Sequence, residues 1–466
     1  MPLRRLLLCS ALLIAACAAI AGGATAGSVP ARLGAEIRVR TPGVGVTGCP
    51  LEGEPSTAVT SAGTWVAYND DQTCPINPTG HFHLTTVQLL PEGGGQARLV
   101  TSSPLVEGEY FSGDPALAPD PAHPGSVLLA TLLGEPNGSV IVGAFRIAPS
   151  LVMTRLPTVT IKGTVTDDKE FLASDTGRAS RYRGRSYLVW DAIGKGTVLR
   201  SFDGRSWGPP VVLQSASGFP DVAVGPDGTV AAVYETGSGV AVRVSHDGGR
   251  TFSPEHAVLL GTDPGRSDAG CPLRGTIGQH QRASKSVRVA FDIRGGLHVV
   301  AALGSPPVPN VYVPTPGAVT GGSGRIEHAV SYDGGRTFAT GPVASGGSGP
   351  VGAPVQWAPA VAALPTGGVA IAWLETTDLA QTSYDAHLAV LGQGAGFGAS
   401  TVIRLSRSTS DFLDATEAFG NSNCYGIGDY IGLAPTSRGV TATWPTTAGT
   451  TPGIDSDVLV RSAFVR

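Results

Sequence analysis

Residues 219–235 read FPDVAVGPDGTVAAVYE, and residues 245–252 read SHDGGRTF. In the first stretch two runs of β-branched and aromatic residues flank a Gly-Pro-Asp-Gly turn, the composition of a β-hairpin. The second stretch is a glycine-rich turn that ends in an aromatic residue. A strand must join the two, so the unit is two strands, a third strand and a sharp turn.

The unit recurs along the chain. Residues 55–70 (PSTAVTSAGTWVAYND) form a first copy, 113–133 (GDPALAPDPAHPGSVLLATLL) a second, and 171–191 (FLASDTGRASRYRGRSYLVWD) a third. After the copy at 219 come 283–303 (ASKSVRVAFDIRGGLHVVAAL), 358–375 (APAVAALPTGGVAIAWLE) and 428–445 (GDYIGLAPTSRGVTATWP). Self-similarity of this kind decides the architecture before any single element does. The copies are about 60 residues apart, which leaves room for four strands and their loops. No helical period of useful length appears. A ring of four-stranded blades closes such an array without long open edges. The expectation is an all-β propeller of seven blades, or six if a weak copy, most readily the second, is an insertion.

The turn after the third strand also repeats. Ser201-FDGRSW, Ser245-HDGGRTF and Ser331-YDGGRTF share S-x-D-G-(G)-R-[ST]-[WF], and Leu391-GQGAGFG is a degenerate copy without the Asp. This motif resembles the Asp-box (BNR repeat) of sialidase-like β-propellers. The residue chemistry gives Asp203, Asp247 and Asp333 a structural role. A carboxylate can accept neighbouring backbone N–H groups, the glycines permit positive φ, and the terminal Trp or Phe packs into the blade. A calcium loop would need several oxygen ligands at alternating positions, which one Asp per turn does not supply.

The ends of the chain carry the closure. The last copy supplies two strands and Asp457-VLVRSAFV a third, so a fourth must come from elsewhere. Glu36-IRVR is a lone strand ahead of the first copy and can complete the last blade.

Composition sets the outer limits. With 42% hydrophobic and 15% charged residues, the chain can bury a large core. Gly 65 and Pro 36 are spread evenly, as many turns require. A net charge of −4 with no basic stripe argues against a nucleic-acid partner. Residues 1–26 read as a signal peptide, with Arg4 and Arg5, an apolar run from Leu6 to Ile20 and a small-residue site at Ala24-Thr25-Ala26. That leaves 27–466 as one exported bacterial propeller domain. Ile14-Ala15-Ala16-Cys17 also resembles a lipobox, so the alternative is a protein anchored at the cell surface through a lipid on Cys17. The mature chain keeps Cys49, Cys74, Cys271 and Cys424, an even number that reads as two disulfides in an exported protein. Cys49 with Cys74 closes the shorter loop, leaving Cys271 for Cys424. No Cys/His spacing suggests a metal site, and no cofactor is expected.

In a four-stranded blade the 4–1 and 2–3 loops share one face. The long irregular segments 261–282, 304–324 and 408–427 map to that face, and so do the four cysteines. Polar residues projected onto it include Asp70, Asp191, Glu235 and Glu375, and the ligand-binding candidates are Asp114, Glu170, Asp221, Arg282, Asp429 and Tyr430. The family resemblance implies three arginines on a substrate carboxylate, a Tyr nucleophile assisted by Glu, and an Asp acid/base. This chain offers Phe145-Arg146-Ile147-Ala148-Pro149, which resembles the family's Phe-Arg-Ile-Pro but has an extra Ala and lies in a third strand. No arginine triad and no catalytic residue can be assigned. Three functional readings stand: a propeller that binds glycan or a protein partner on its loop face, an exo-α-sialidase or related glycoside hydrolase, and a structural or adhesive module.

Overall fold

The computed structural model describes residues 31–39, 51–71, 84–92, 95–161, 163–164, 166–216, 218–264, 276–277, 281–282, 284–304, 324–344, 354–377, 383–394, 397, 401–411, 427–449 and 456–465. Among them there is no helix, and the strands form seven antiparallel sheets built on four strands each, the blades of a β-propeller; the sixth carries an extra short strand, Ser410–Asp411, and Thr276–Ile277 pairs with Gln281–Arg282 in a separate small hairpin. Blade 1 runs through strands Leu51–Thr60, Gly63–Asp71, Leu84–Pro91 and Arg98–Leu99. Blade 2, from the weakest sequence copy, is complete: Tyr110–Pro119, Val127–Gly134, Val140–Ile147 and Met153–Arg155. Blades 3, 4, 5 and 6 begin with the inner strands Asp167–Ser174, Asp221–Val224, Arg288–Phe291 and Gln356–Ala363.

Blade 7 combines both ends of the described chain. Its order from the axis outward is Gly432–Thr436, Gly439–Thr446, Asp457–Val465 and then Ala31–Val39. The closing strand is longer than Glu36-IRVR suggests. It starts at Ala31, and a register shift between Leu33 and Glu36 lets it continue alongside its partner.

The middle strands of each blade are buried on both faces, because a blade is covered by a neighbour on either side. Every residue of Val127–Gly134 and of Leu297–Leu303 is buried. The hydrophobic clusters therefore lie between blades and follow the ring around. Trp65 and Leu129 belong to the layer between blades 1 and 2. Trp190 and Leu128 share the next layer. Val39 of the closing strand joins Val66 and Tyr68 of blade 1 with Val458 and Val460 of blade 7. Five of the six tryptophans are less than 2% exposed, so packing between blades takes nearly all the indole surface the sequence provides.

The three Asp-Gly turns connect third to fourth strands in blades 3, 4 and 5. In blade 4 one Asp247 oxygen accepts the N–H groups of Arg250 (3.0 Å) and Thr251 (2.9 Å) and the Ser245 hydroxyl (2.8 Å), and the other accepts Thr251 Oγ1 (2.6 Å). Asp333 repeats this set with Arg336, Thr337 and Ser331. Asp203 makes the shorter version with Arg205 and Ser206. Gly248 and Gly249 carry φ of 75° and 77°, the left-handed conformation the turn requires. Trp207 packs on Phe202 at 4.8 Å, and its Nε1–H donates to Pro157 O.

Candidate functional site

The inner strands start around the central axis, and most of those starts are bulged. Non-glycine residues with positive φ recur there: Glu54 (49°), Asp114 (52°), Lys169 (53°), Ser286 (44°) and Ala358 (48°), with Gly428 (98°) in blade 7. In blades 1, 2, 3 and 6 a register shift flanks the residue. Left-handed backbone on such residues costs about 1–3 kcal/mol each and persists only where surrounding contacts enforce it. A bulge also re-aims side chains, here toward the axis.

The result is a charged hub drawn from four blades. Lys169 Nζ lies 2.8 Å from Asp114 Oδ2, 3.1 Å from Asp429 Oδ2 and 3.6 Å from Glu54 Oε1. The carboxylates are held in turn. Asn69 Nδ2 donates to Glu54 Oε2 (2.8 Å), the Asp429 N–H donates to Glu54 Oε1 (2.9 Å), and the Asp114 N–H donates to Asn69 Oδ1 (2.8 Å). Blades 4 and 5 tie in through Ser286, whose Oγ donates to Asp429 O and whose N–H donates to Glu235 Oε1.

An aromatic plug from blades 3, 4 and 7 adjoins the hub. Tyr430 meets Phe171 edge-on at 5.4 Å and Phe219 at 6.4 Å. The Arg288 guanidinium lies over Phe171 at 4.1 Å, Phe219 at 5.1 Å and Tyr430 at 5.5 Å, while Lys169 Nζ lies 5.5 Å from Phe219 and 5.9 Å from Tyr430. Two cations thus flank the ring faces, an arrangement strengthened by desolvation.

Glu170 is the unusual member. It is 1% exposed, and among the described residues neither carboxyl oxygen has a hydrogen-bond partner. Burial first, and then the charge of Asp114, raise its pKa well above the carboxylate range, which favours the protonated form. Burial, reinforced by Asp114, Glu54 and Glu170, likewise keeps Tyr430 a neutral phenol. The site therefore combines a buried acid of raised pKa, a bound ammonium and three carboxylates. Among the described residues no cluster of His, Cys, Asp and Glu could hold a metal ion.

Of the six sequence candidates, Asp114, Glu170, Asp429 and Tyr430 come together here. Asp221 acts between blades instead. Its oxygens accept the N–H groups of Val222 (2.8 Å) and Val289 (3.0 Å), which clips blade 4 to blade 5. Arg282 pairs by backbone with Thr276, and its side chain lies outside the described residues. Cys49, Cys74, Cys271 and Cys424, and most of the long loop-face segments, lie outside them too. Arg146 binds Asp120 at the opposite end of blade 2. Sequence reasoning missed Glu54, Lys169, Phe171, Phe219 and Arg288. One signal was available: the chain has only four lysines, and Lys169 and Lys285 both fall at inner-strand starts.

The projected Asp191, and Asp167, which the sequence did not single out, also tie blades together. Asp191 accepts the Gly218 N–H (2.9 Å) and Thr197 Oγ1 (2.7 Å), and Asp167 accepts the Val142 N–H (3.2 Å) and Trp190 Nε1 (3.1 Å). Burial is the leading cause that pushes Asp167 and Asp221 up to about 6, and Asp191 and Glu235 up to about 7. Each keeps its proton when folded at a pH where the unfolded carboxyl has lost it. Their stabilising contribution is therefore complete below about pH 4 and fades as the pH rises through 6 to 7, by about 1.4 kcal/mol per pH unit per proton. Asp247, held down to about 2 by its turn, acts oppositely and withdraws support only as the pH falls below 4. His328, lowered to about 3 by burial, withdraws support from pH 6.5 downward but carries one proton against four. The unfolding temperature should peak near pH 4 and fall toward pH 7. Tryptophan fluorescence melts at constant ionic strength measure it, and a profile flat or rising to pH 8 contradicts the account. Asp191→Asn should flatten the fall.

No described protein family matches the sequence, and no curated protein does. Among solved structures the chain is similar to a protein of unknown function from Dyadobacter fermentans, with 13% identity, 94% of this chain and 99% of that one covered, and a TM-score of 0.44. It is also similar to the polysaccharide lyase Uly1 (9% identity, 93% and 99% covered, TM-score 0.49) and to a leech intramolecular trans-sialidase (11% identity, 74% and 68% covered, TM-score 0.47). At such scores, what this chain binds has to be argued from its own residues.

Proposed function

We propose that this is an exported binding propeller that takes a neutral glycan at the hub, without hydrolysing it. The observation that carries the reading is the charge balance at the axis: three carboxylates around one ammonium. Carboxylates accept sugar hydroxyls well. The same surplus of acid repels an anionic sugar. A sialic acid carboxylate buried there would need fixed positive charge to offset its desolvation. Lys169 is already engaged, and Arg288 lies against the aromatic rings. Export rests on the leader at 1–26, with anchoring through Cys17 as its alternative.

Glycan-array screening followed by calorimetry tests the proposal. The expected result is binding of neutral glycans that weakens at least tenfold in Asp429→Asn. Binding confined to sialylated glycans would overturn it. Release of fluorophore from a sialic acid conjugate, abolished by Tyr430→Phe, would replace it with the hydrolase reading, which the closeness of Tyr430, Glu170 and Asp114 favours.

A further inference from the structure

A cavity of about 930 Å3 opens at the end of the propeller opposite the hub, on the seam where blade 7 closes. Three arginines line it: Arg32 from the closing strand, Arg407 after the last strand of blade 6, and Arg438 from the inner hairpin of blade 7. No acidic residue lines it, although Asp and Glu outnumber Lys and Arg by 36 to 32 in the whole chain. Among the described residues none of the three guanidinium groups has a carboxylate within 4.0 Å. Glu36, beside Arg407, is engaged by Arg461 at 3.9 Å and by the backbone N–H of Arg407 at 3.1 Å.

The backbone beneath these side chains is fixed. Arg438 O accepts the Val465 N–H at 2.8 Å, and Arg438 N donates to Thr436 Oγ1 at 3.2 Å. Arg32 is paired across the seam with Phe464, which also lines the cavity. Thr366 and Ser437 add hydroxyls from the two flanking inner hairpin turns.

We propose that this cavity is a separate binding site for an anionic saccharide, one whose rings carry carboxylate or sulfate groups. Guanidinium forks match planar and tetrahedral oxyanions, and three unneutralised forks on one cavity create a local positive field on an acidic protein. The volume is near the upper end of ordinary ligand pockets, about 300–1,000 Å3, and so suits a body of two or three rings instead of a lone oxyanion. Phe464 and Leu33 offer the apolar surface that ring faces cover, and Thr366 and Ser437 partner ring hydroxyls. The site lies far from the hub and is of opposite sign, so neither site's failure bears on the other.

Calorimetry on the full chain tests it with trigalacturonate and sucrose octasulfate as anionic probes, and with methyl-esterified trigalacturonate and inorganic sulfate as controls. At least one anionic saccharide should bind, more weakly as salt is raised. Combining Arg32→Gln, Arg407→Gln and Arg438→Gln should reduce that binding by about tenfold or more while leaving the melting temperature in place, since the side chains are exposed. Binding of neither saccharide would overturn the proposal. So would undiminished binding by the triple variant, equal binding of the methyl ester, or inorganic sulfate binding as tightly as the saccharides.

Discussion

A chain lacking residues 31–39 should lose its cooperative unfolding transition and associate in solution. The closing strand pairs with Asp457–Val465 along its length, from Ala31 opposite Val465 to Val39 opposite Val458. At about 0.5–1.5 kcal/mol net per hydrogen bond, such a ladder is comparable to the whole stability of a typical domain, about 5–15 kcal/mol. Side chains add to it. Val39, 1% exposed, packs between blade 7 and blade 1, and burying a valine contributes about 1.5–3 kcal/mol. Arg38 binds Asp457 and the Ala448 carbonyl. Without this strand, Val458, Leu459 and Val460 stand on an open sheet edge, a template for pairing with another chain. Size-exclusion chromatography and thermal melts would show the effect, and a synthetic peptide of residues 31–39 should restore the melt. A truncated chain that stays monomeric with the full chain's melting temperature would refute the closure argument.

Closure was legible because it follows from counting. The last copy supplies three strands and Glu36-IRVR has no hairpin of its own, so the seventh blade has one composition available. The Asp-Gly turns were legible for a different reason: every contact of Asp247 in its turn lies within four residues. The hub was not. Glu54 and Asp429 stand 375 residues apart and meet only because the ring closes between blades 7 and 1. Local backbone hid the rest. Strand alternation would send Lys169 and Glu170 to opposite faces in a fixed order, but the bulge between Asp168 and Phe171 breaks that order. Glu170 drew attention as a polar strand start, whereas its neighbour Lys169 carries the ion pairs. Arg288 reads in sequence as one more polar residue among valines, and only the axial packing of Phe171, Phe219 and Tyr430 from three blades gives it a partner surface.

Lys169→Met should destabilise the propeller by about 3–5 kcal/mol, the loss typical of breaking a buried ion pair from one side. Methionine keeps the length and apolar stem of lysine, so packing beneath the hub changes little and the lost charge dominates. Lys169 is 13% exposed in its side chain, and Asp429, at 3%, has almost no water to turn to. The substitution takes the hub from three acids and one base to three acids facing one another. The neighbours cannot compensate, since Asn69 already donates to Glu54 and the Asp429 N–H is already in use. Replacing the acids as well should reverse the trend, because a fully neutral hub lacks the unpaired charges. In a double-mutant cycle Asp429→Asn should cost less in the Lys169→Met background than in the native one, with a coupling of about 0.5–3 kcal/mol. Urea titration of the four proteins measures both quantities. A Lys169→Met protein within about 1 kcal/mol of the parent, or costs that simply add, would show that the ammonium does not hold the three carboxylates together.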